Sequence, residues 1–267
     1  MSDLEIQMLG VLKLLRDTYG AVGVKAEFES EGVRVDEMLR FVDLSNKSQM
    51  KLGIKIGGCE AVKDALDAKQ FGADYLIAPM IESRYALTKY NDLVQRVYCS
   101  SSTRPVALFN VETRLAYDNF DSILDYALVA PYVDGIVFGR VDFASSNDLS
   151  RADINSALVN DPCLDVSKRL SSSSLDYVVG GAISSESITF LRHLSGIYLS
   201  RFETRKIIFD SSSLSGCDLK EGLLLAVKFE LLWLLNKRNY YTSISSEDDK
   251  RIEMLEARWC LLNDLVS

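Results

Sequence analysis

The chain has a single histidine, no run of lysine or arginine, no C-x-x-C pair and no apolar stretch of membrane length. Each shortage removes a class of function. The one histidine, His193, lies late in the helical segment Phe190-Leu191-Arg192-His193-Leu194, where a helix-end position without catalytic duty is expected. A formal charge of −8 without a basic cluster argues against a nucleic-acid partner. The five cysteines, Cys59, Cys99, Cys163, Cys217 and Cys260, are odd in number and scattered, so neither a disulfide framework nor a zinc site is expected. Five reduced thiols suit a cytoplasmic protein. The longest apolar segment, Leu223 to Leu235, is broken by Lys228 and Glu230 and falls short of the ~20 residues of a membrane span. The opening Met1-Ser2-Asp3-Leu4-Glu5 has neither the basic region nor the apolar stretch of a signal peptide.

What the chain does have is alternation. After a helical segment from Leu4 to Tyr19, strand-like runs are expected at Val22–Phe28, Leu52–Ile56, Tyr75–Ala78, Val106–Val111, Gly135–Phe138, Tyr177–Val179, Ile197–Leu199 and Lys206–Phe209. Amphipathic segments fill most gaps, such as Val35-x-x-Met38-Leu39-x-x-Val42 with its i, i+3, i+4, i+7 stripe. Strands alternating with helices imply a mainly parallel sheet. An open Rossmann-type sheet should carry a glycine-rich phosphate loop after its first strand, and here that place holds Glu29-Ser30-Glu31-Gly32. The fold class expected is therefore α/β, a (β/α)8 TIM barrel with extra C-terminal helices. It forms one domain over residues 1–267, with 218–267 as a helical extension. Ile197–Leu199 and Lys206–Phe209 stand too close for a full helix between them, so an irregular closure is expected there. The extension reads as two helices, Leu219–Leu235 and Glu247–Leu262, joined by residues 236–241. Its apolar stripe can pack on its own barrel or on a partner subunit, and a homo-oligomer is expected.

Two of the apolar runs end in a carboxylate, Glu112 and Asp142, thirty positions apart. That is about one strand–helix–strand unit, with residues 117–130 reading as the helix, so parallel neighbours bring both acids to one rim. Two hard oxygen ligands on an open rim suit a divalent cation holding an oxygen-rich substrate, although a strand-end ion pair or a helix cap would use the same residues. Chemistry in such barrels sits at the C-terminal ends of the strands. Those ends read Glu27 and Glu29, Lys55, Glu82, Glu112, Asp142, Gly180-Gly181, and then Arg201, Glu203 and Arg205.

The segment Val111-Glu112-Thr113 with Asn119 and Asp121, followed by Val133-Asp134-Gly135-Ile136-Val137-Phe138-Gly139-x-x-Asp142, resembles the aldolase/citrate lyase family, which includes the 4-hydroxy-2-oxo-acid aldolases. The similarity runs from about Val22 to Ser200. It implies a pyruvate- or phosphoenolpyruvate-type barrel in which Glu112 and Asp142 hold Mg²⁺ or Mn²⁺, and a small 2-oxo acid as substrate. Where the family keeps an arginine for that acid, this chain offers Lys55, which delivers charge without the planar fork. Glu27 matches the family's acidic residue after the early strand, expected to order water or transfer a proton. The histidine that follows it in the aldolases is Phe28 here. Arg140 stands where proline is usual, and is expected to contact a second carboxylate or a phosphate.

Overall fold

A computed structural model describes residues 1–101, 103–216 and 218–266; Cys217 lies outside them. The chain begins with α1 (Asp3–Tyr19), capped at its start by the reciprocal Ser2–Glu5 box and stopped by Gly20 at φ 69. Then come β1 (Ala21–Glu27), α2 (Val35–Ser48), β2 (Lys51–Lys55), α3 (Val62–Gln70), β3 (Tyr75–Ala78), α4 (Arg84–Tyr98) and β4 (Val106–Val111). Next are α5 (Arg114–Asp118), α6 (Phe120–Ala127), β5 (Gly135–Gly139), α7 (Arg140–Ser146), α8 (Ala157–Leu170), β6 (Asp176–Gly180) and α9 (Ile188–Ser195). The chain ends with β7 (Arg201–Glu203), β8 (Ile207–Asp210), α10 (Ser213–Gly216) and α11 (Leu219–Val266).

The eight strands close into a barrel in sequence order. β1 to β7 run parallel, and β8 is antiparallel to both of its neighbours, β7 and β1. The expected irregular closure thus takes the form of a hairpin. Only Thr204, Arg205 and Lys206 link β7 to β8, too few for a helical crossover, so the last strand has to run back. The seventh strand is Arg201–Glu203 and not Ile197–Leu199, whose backbone is taken up by a turn that caps α9 through Ile197 N–H and Tyr198 N–H to the Leu194 carbonyl.

Outward residues of the strands meet the helices in the main core. Inward ones form a separate apolar plug of Tyr75, Ile77, Leu108, Val137, Val178 and Ile208. This plug fills the barrel below its C-terminal rim and leaves the residues one pleat higher to line the mouth.

The helical extension is one helix of 48 residues rather than two. The segment expected to break it, residues 236–241, contains neither glycine nor proline, and its side chains are tied down. Tyr241 donates to Glu37 at 2.6 Å, Lys237 pairs with Glu37 at 2.9 Å, and Asn236 accepts from Ser2 at 2.9 Å. The first half of α11 packs on α1 and α2. Trp233 meets Phe41 edge-on at 5.0 Å, and Gly222 lies so close to Tyr19 that a Cβ there would sit 2.9 Å from the Tyr19 Cβ.

Candidate functional site at the barrel mouth

The upper interior of the barrel is polar because inward positions of four strands carry charge or an amide. The pleat turns Lys25 and Glu27 of β1, Lys55 of β2, Asn110 of β4 and Glu203 of β7 inward toward the rim, with Glu112 directly after β4. Glycines make the room. A Cβ at Gly139 would stand 2.7 Å from the Glu112 Cβ and Oε2, and one at Gly180 would stand 3.1 Å from the Glu203 Oε1. Glu112 and Glu203 therefore lie across neighbouring strands that have no side chain at those points.

Glu112 is only 1% exposed, and its carboxylate is held on three sides. Oε1 accepts from Met80 N–H at 2.9 Å, while Oε2 accepts from the Asn110 amide at 2.6 Å and faces Lys55 Nζ at 3.4 Å. Oε1 keeps a free lone pair. Asp142, in the first turn of α7, has no hydrogen-bond or ion-pair partner among the described residues. Burial, and then the nearby negative charge of Glu112, push its carboxyl above the usual range. The two acids feel one another, and Lys55, against Glu112, offsets part of that repulsion at Asp142 without forming an ion pair with it.

Lys55 is gripped by Glu29 at 3.0 Å and by Glu112. Burial alone would lower its pKa, but these two carboxylates outweigh burial and raise it, so the ammonium stays charged. Deeper in, Lys25 pairs with Glu203 at 2.5 Å and with Glu27 at 3.3 Å. Its pKa is likewise raised against burial by Glu203 and Glu27. Glu27 responds in kind: burial opposes its charge, but Lys25 and the Ser30 hydroxyl, 2.5 Å away, hold its carboxyl at about 2. A group so acidic is ionised throughout the neutral range. Of the two roles that the resemblance implies, an acid held so low suits ordering water and neighbours better than transferring a proton.

Arg140 departs from the expected anion contact. Its guanidinium is wholly buried and donates to the Gly181 carbonyl at 3.0 and 3.2 Å, the Ala182 carbonyl at 3.3 Å, Ser187 at 3.1 Å and Asn155 at 3.2 Å. With no carboxylate among these partners, burial lowers its pKa. The side chain holds the Gly181–Ala182 turn, where Gly181 adopts φ +88 and a Cβ would come within 2.7 Å of the Val141 backbone nitrogen. It does not face the mouth.

Other rim residues also sort out. Arg201 begins β7 and so lies at the opposite end of the barrel, paired with Asp176 at 2.6 Å and set over the Tyr75 ring. Arg205, in the β7–β8 hairpin, pairs with Glu31 at 3.1 Å, and Lys206 is buried on the same carboxylate. Glu82 accepts from Thr113 at 2.8 Å, which ties it to the start of α5. His193 is exposed in the last turn of α9. Phe28 turns out of the barrel and packs against the main core. Cys59, Cys99, Cys163 and Cys260 are free thiols. No helix among the described residues is long and apolar enough to cross a membrane.

Asn110 was not legible as a site residue, although it stands two positions before Glu112 in an otherwise apolar strand and so shares its face. Its Oδ1 is buried without a hydrogen-bond partner. The mouth as a whole carries six carboxylates (Glu27, Glu29, Glu31, Glu112, Asp142 and Glu203) against Lys25, Lys55, Lys206 and Arg205, an excess of two negative charges. Hard oxygen donors, a carboxylate without a partner and this excess of charge fit a divalent cation. Among the described residues no group of three or more His, Cys, Asp or Glu side chains is arranged to hold a metal. Glu112 and Asp142 would thus supply two ligands and leave the remainder to water and substrate oxygens.

No protein-family model matches the chain, and no curated protein matches it in sequence. Solved structures do match in fold. An HpcH/HpaI aldolase/citrate lyase family protein from Burkholderia cenocepacia J2315 aligns over 85% of this chain and 99% of its own, with a TM-score of 0.58 and 14% identity. A citrate lyase from Burkholderia xenovorans LB400 covers 88% and 89%, at TM-score 0.55 and 14% identity. The HpcH/HpaI aldolase from Desulfitobacterium hafniense DCB-2 covers 67% and 76%, at TM-score 0.52 and 14% identity. The chain has the barrel fold of the aldolase/citrate lyase structures.

Proposed function

We propose that the protein is a divalent-cation-dependent aldolase or carbon–carbon lyase, acting on a hydroxylated 2-oxo acid through a pyruvate enolate. The observation that carries this reading is the pairing of buried Glu112 with the unpartnered Asp142 at the C-terminal rim, with the Lys55 ammonium against Glu112. The two acids would hold Mg²⁺ or Mn²⁺, which when bound supplies Lewis acidity to the 2-oxo group. Lys55, kept charged by Glu112 and Glu29, would offer a fixed positive charge to a developing enolate oxygen. Met80 N–H and the Asn110 amide fix the orientation of Glu112. A Schiff base on Lys25 or Lys55 would need a neutral amine, and the carboxylates around these two lysines hold both charged, whereas burial lowers the pKa of Lys206. Citrate-lyase-like cleavage and oxaloacetate decarboxylation draw on the same residues.

One observation favours a second reading. The base that the resemblance implies is missing, since Phe28 packs in the core, and Glu27 is too acidic to replace it. A protein that binds the cation and a 2-oxo acid without turning it over would have this mouth. Proton NMR of pyruvate in D₂O with Mg²⁺ or Mn²⁺ separates the two. Enolate chemistry predicts metal-dependent loss of the methyl signal that stops in Glu112→Gln. A methyl signal that persists with the cation bound would leave the binding reading.

A further inference from the structure

The long helix α11 spends only one side of itself on its own barrel. Leu223, Ala226, Phe229, Leu232 and Trp233 are buried, while Leu224, Val227, Leu231 and Leu234 on the other side are 52–69% exposed. From residue 242 to 262 every position is exposed. Ile252, Leu255, Trp259 and Leu262 there fall in the same heptad register as Leu224, Val227, Leu231 and Leu234, four heptads earlier. An apolar seam of constant register, exposed at both ends of one long helix, is the pattern of a coiled coil.

We propose that this seam pairs with the seam of a second copy of the chain, as an antiparallel two-stranded coiled coil centred on Ser243. In that arrangement core positions of one copy face core positions of the other, and the chain proves self-complementary. Four layers toward each end, from Leu224 against Leu262 to Leu234 against Ile252, are apolar on both sides. The charged core positions, Arg238 and Asp248, fall opposite each other. On the flanks Lys228 meets Glu256 and Glu230 meets Arg258, and at the two-fold axis Ile244 meets its own copy. One flank sets Lys237 near Arg251, and Lys237 is already neutralised by Glu37 at 2.9 Å. Parallel pairing would instead stack Arg238 on Arg238 and Asp248 on Asp248. With Ile244 included, nine large apolar side chains, each at least 45% exposed, offer on the order of 800 Å² per chain, the size of a standard stable interface.

The test uses the full chain and its mass in solution, by light scattering or sedimentation at micromolar concentration. The wild type is expected at twice 29.8 kDa. Arg238→Asp and Asp248→Arg, both at exposed positions, should each raise the dissociation constant at least about tenfold, since each places like charges in two core layers. An equimolar mixture of the two variants should restore the dimer, because every layer then pairs opposite charges in trans. Far-ultraviolet circular dichroism of each variant should match the wild type. A monomeric wild type, as when α11 folds back on itself or its seam serves another protein, would overturn the proposal. So would a dimer that the single substitutions leave intact or tighten, or a mixture that stays monomeric.

Discussion

Midway up the strands, the barrel interior is closed by Tyr75, Ile77, Leu108, Val137, Val178 and Ile208, all apolar and buried. Toward the rim it is filled by Lys25, Lys55, Asn110, Glu112 and Glu203, drawn mostly from other strands, also buried but polar or charged. The lower layer is stabilising through area removed from water and tolerates no gap. The upper layer pays a desolvation cost for each charge and persists only as a set in which every lysine has a carboxylate. Apolar packing is concentrated below and charge above, and the plug forms the floor of the mouth.

Substitutions can break this contrast from either side. The largest effect is expected from Lys25→Met, which leaves Glu203 and Glu27 buried without their cation and should cost about 4 kcal/mol in urea unfolding. Leu108→Ala opens a cavity in the plug and should cost about 3 kcal/mol, with the mouth residues keeping their contacts. A loss no larger than about 0.5 kcal/mol in either variant would remove the distinction between the layers.

Acid sharpens the contrast, because the plug holds no carboxylate. The folded-state pKa of Glu27 is depressed to about 2 from its ordinary 4.5. Its contribution is therefore complete above pH 4.5 and is lost as the pH falls toward 2. A loss on the order of 2 kcal/mol should appear across that window in the wild type and shrink in Glu27→Gln, as read by unfolding at successive pH values. The smallest effect has the opposite sign. Asp142 sits near Glu112 with no ion-pair partner, Lys55 only partly offsetting the repulsion, so Asp142→Asn should stabilise the apo protein by less than about 1 kcal/mol, its exposure having discounted the effect.

Much of this arrangement was legible in the chain. Tyr75–Ala78 and Val106–Val111 form strands with those bounds, and the thirty-residue spacing does bring Glu112 and Asp142 to one rim. Period-2 patterning and strand-end carboxylates are local signals, and they survive folding. What was hidden depends on partners distant in sequence. Arg140 reads as a free cation beside the site until the Gly181–Ala182 turn and Ser187 surround it. Ile197–Leu199 has strand composition, yet its backbone caps α9, and the reversal of β8 follows from a short link that propensity does not register. Residues 236–241 look like a hinge by polarity alone, while Glu37, from α2, holds them helical. Asn110 was missed as one polar residue in an apolar run.

The central claim is that Glu112 and Asp142 form the cation site of this mouth. Titration of the apo protein with Mn²⁺, followed by the loss of the free-ion paramagnetic resonance signal, tests it without reference to any reaction. One equivalent of Mn²⁺ should bind the wild type, and Glu112→Gln and Asp142→Asn should each weaken binding at least about tenfold, or 1.4 kcal/mol. No binding to the wild type, or binding that both substitutions leave unchanged, would contradict the account.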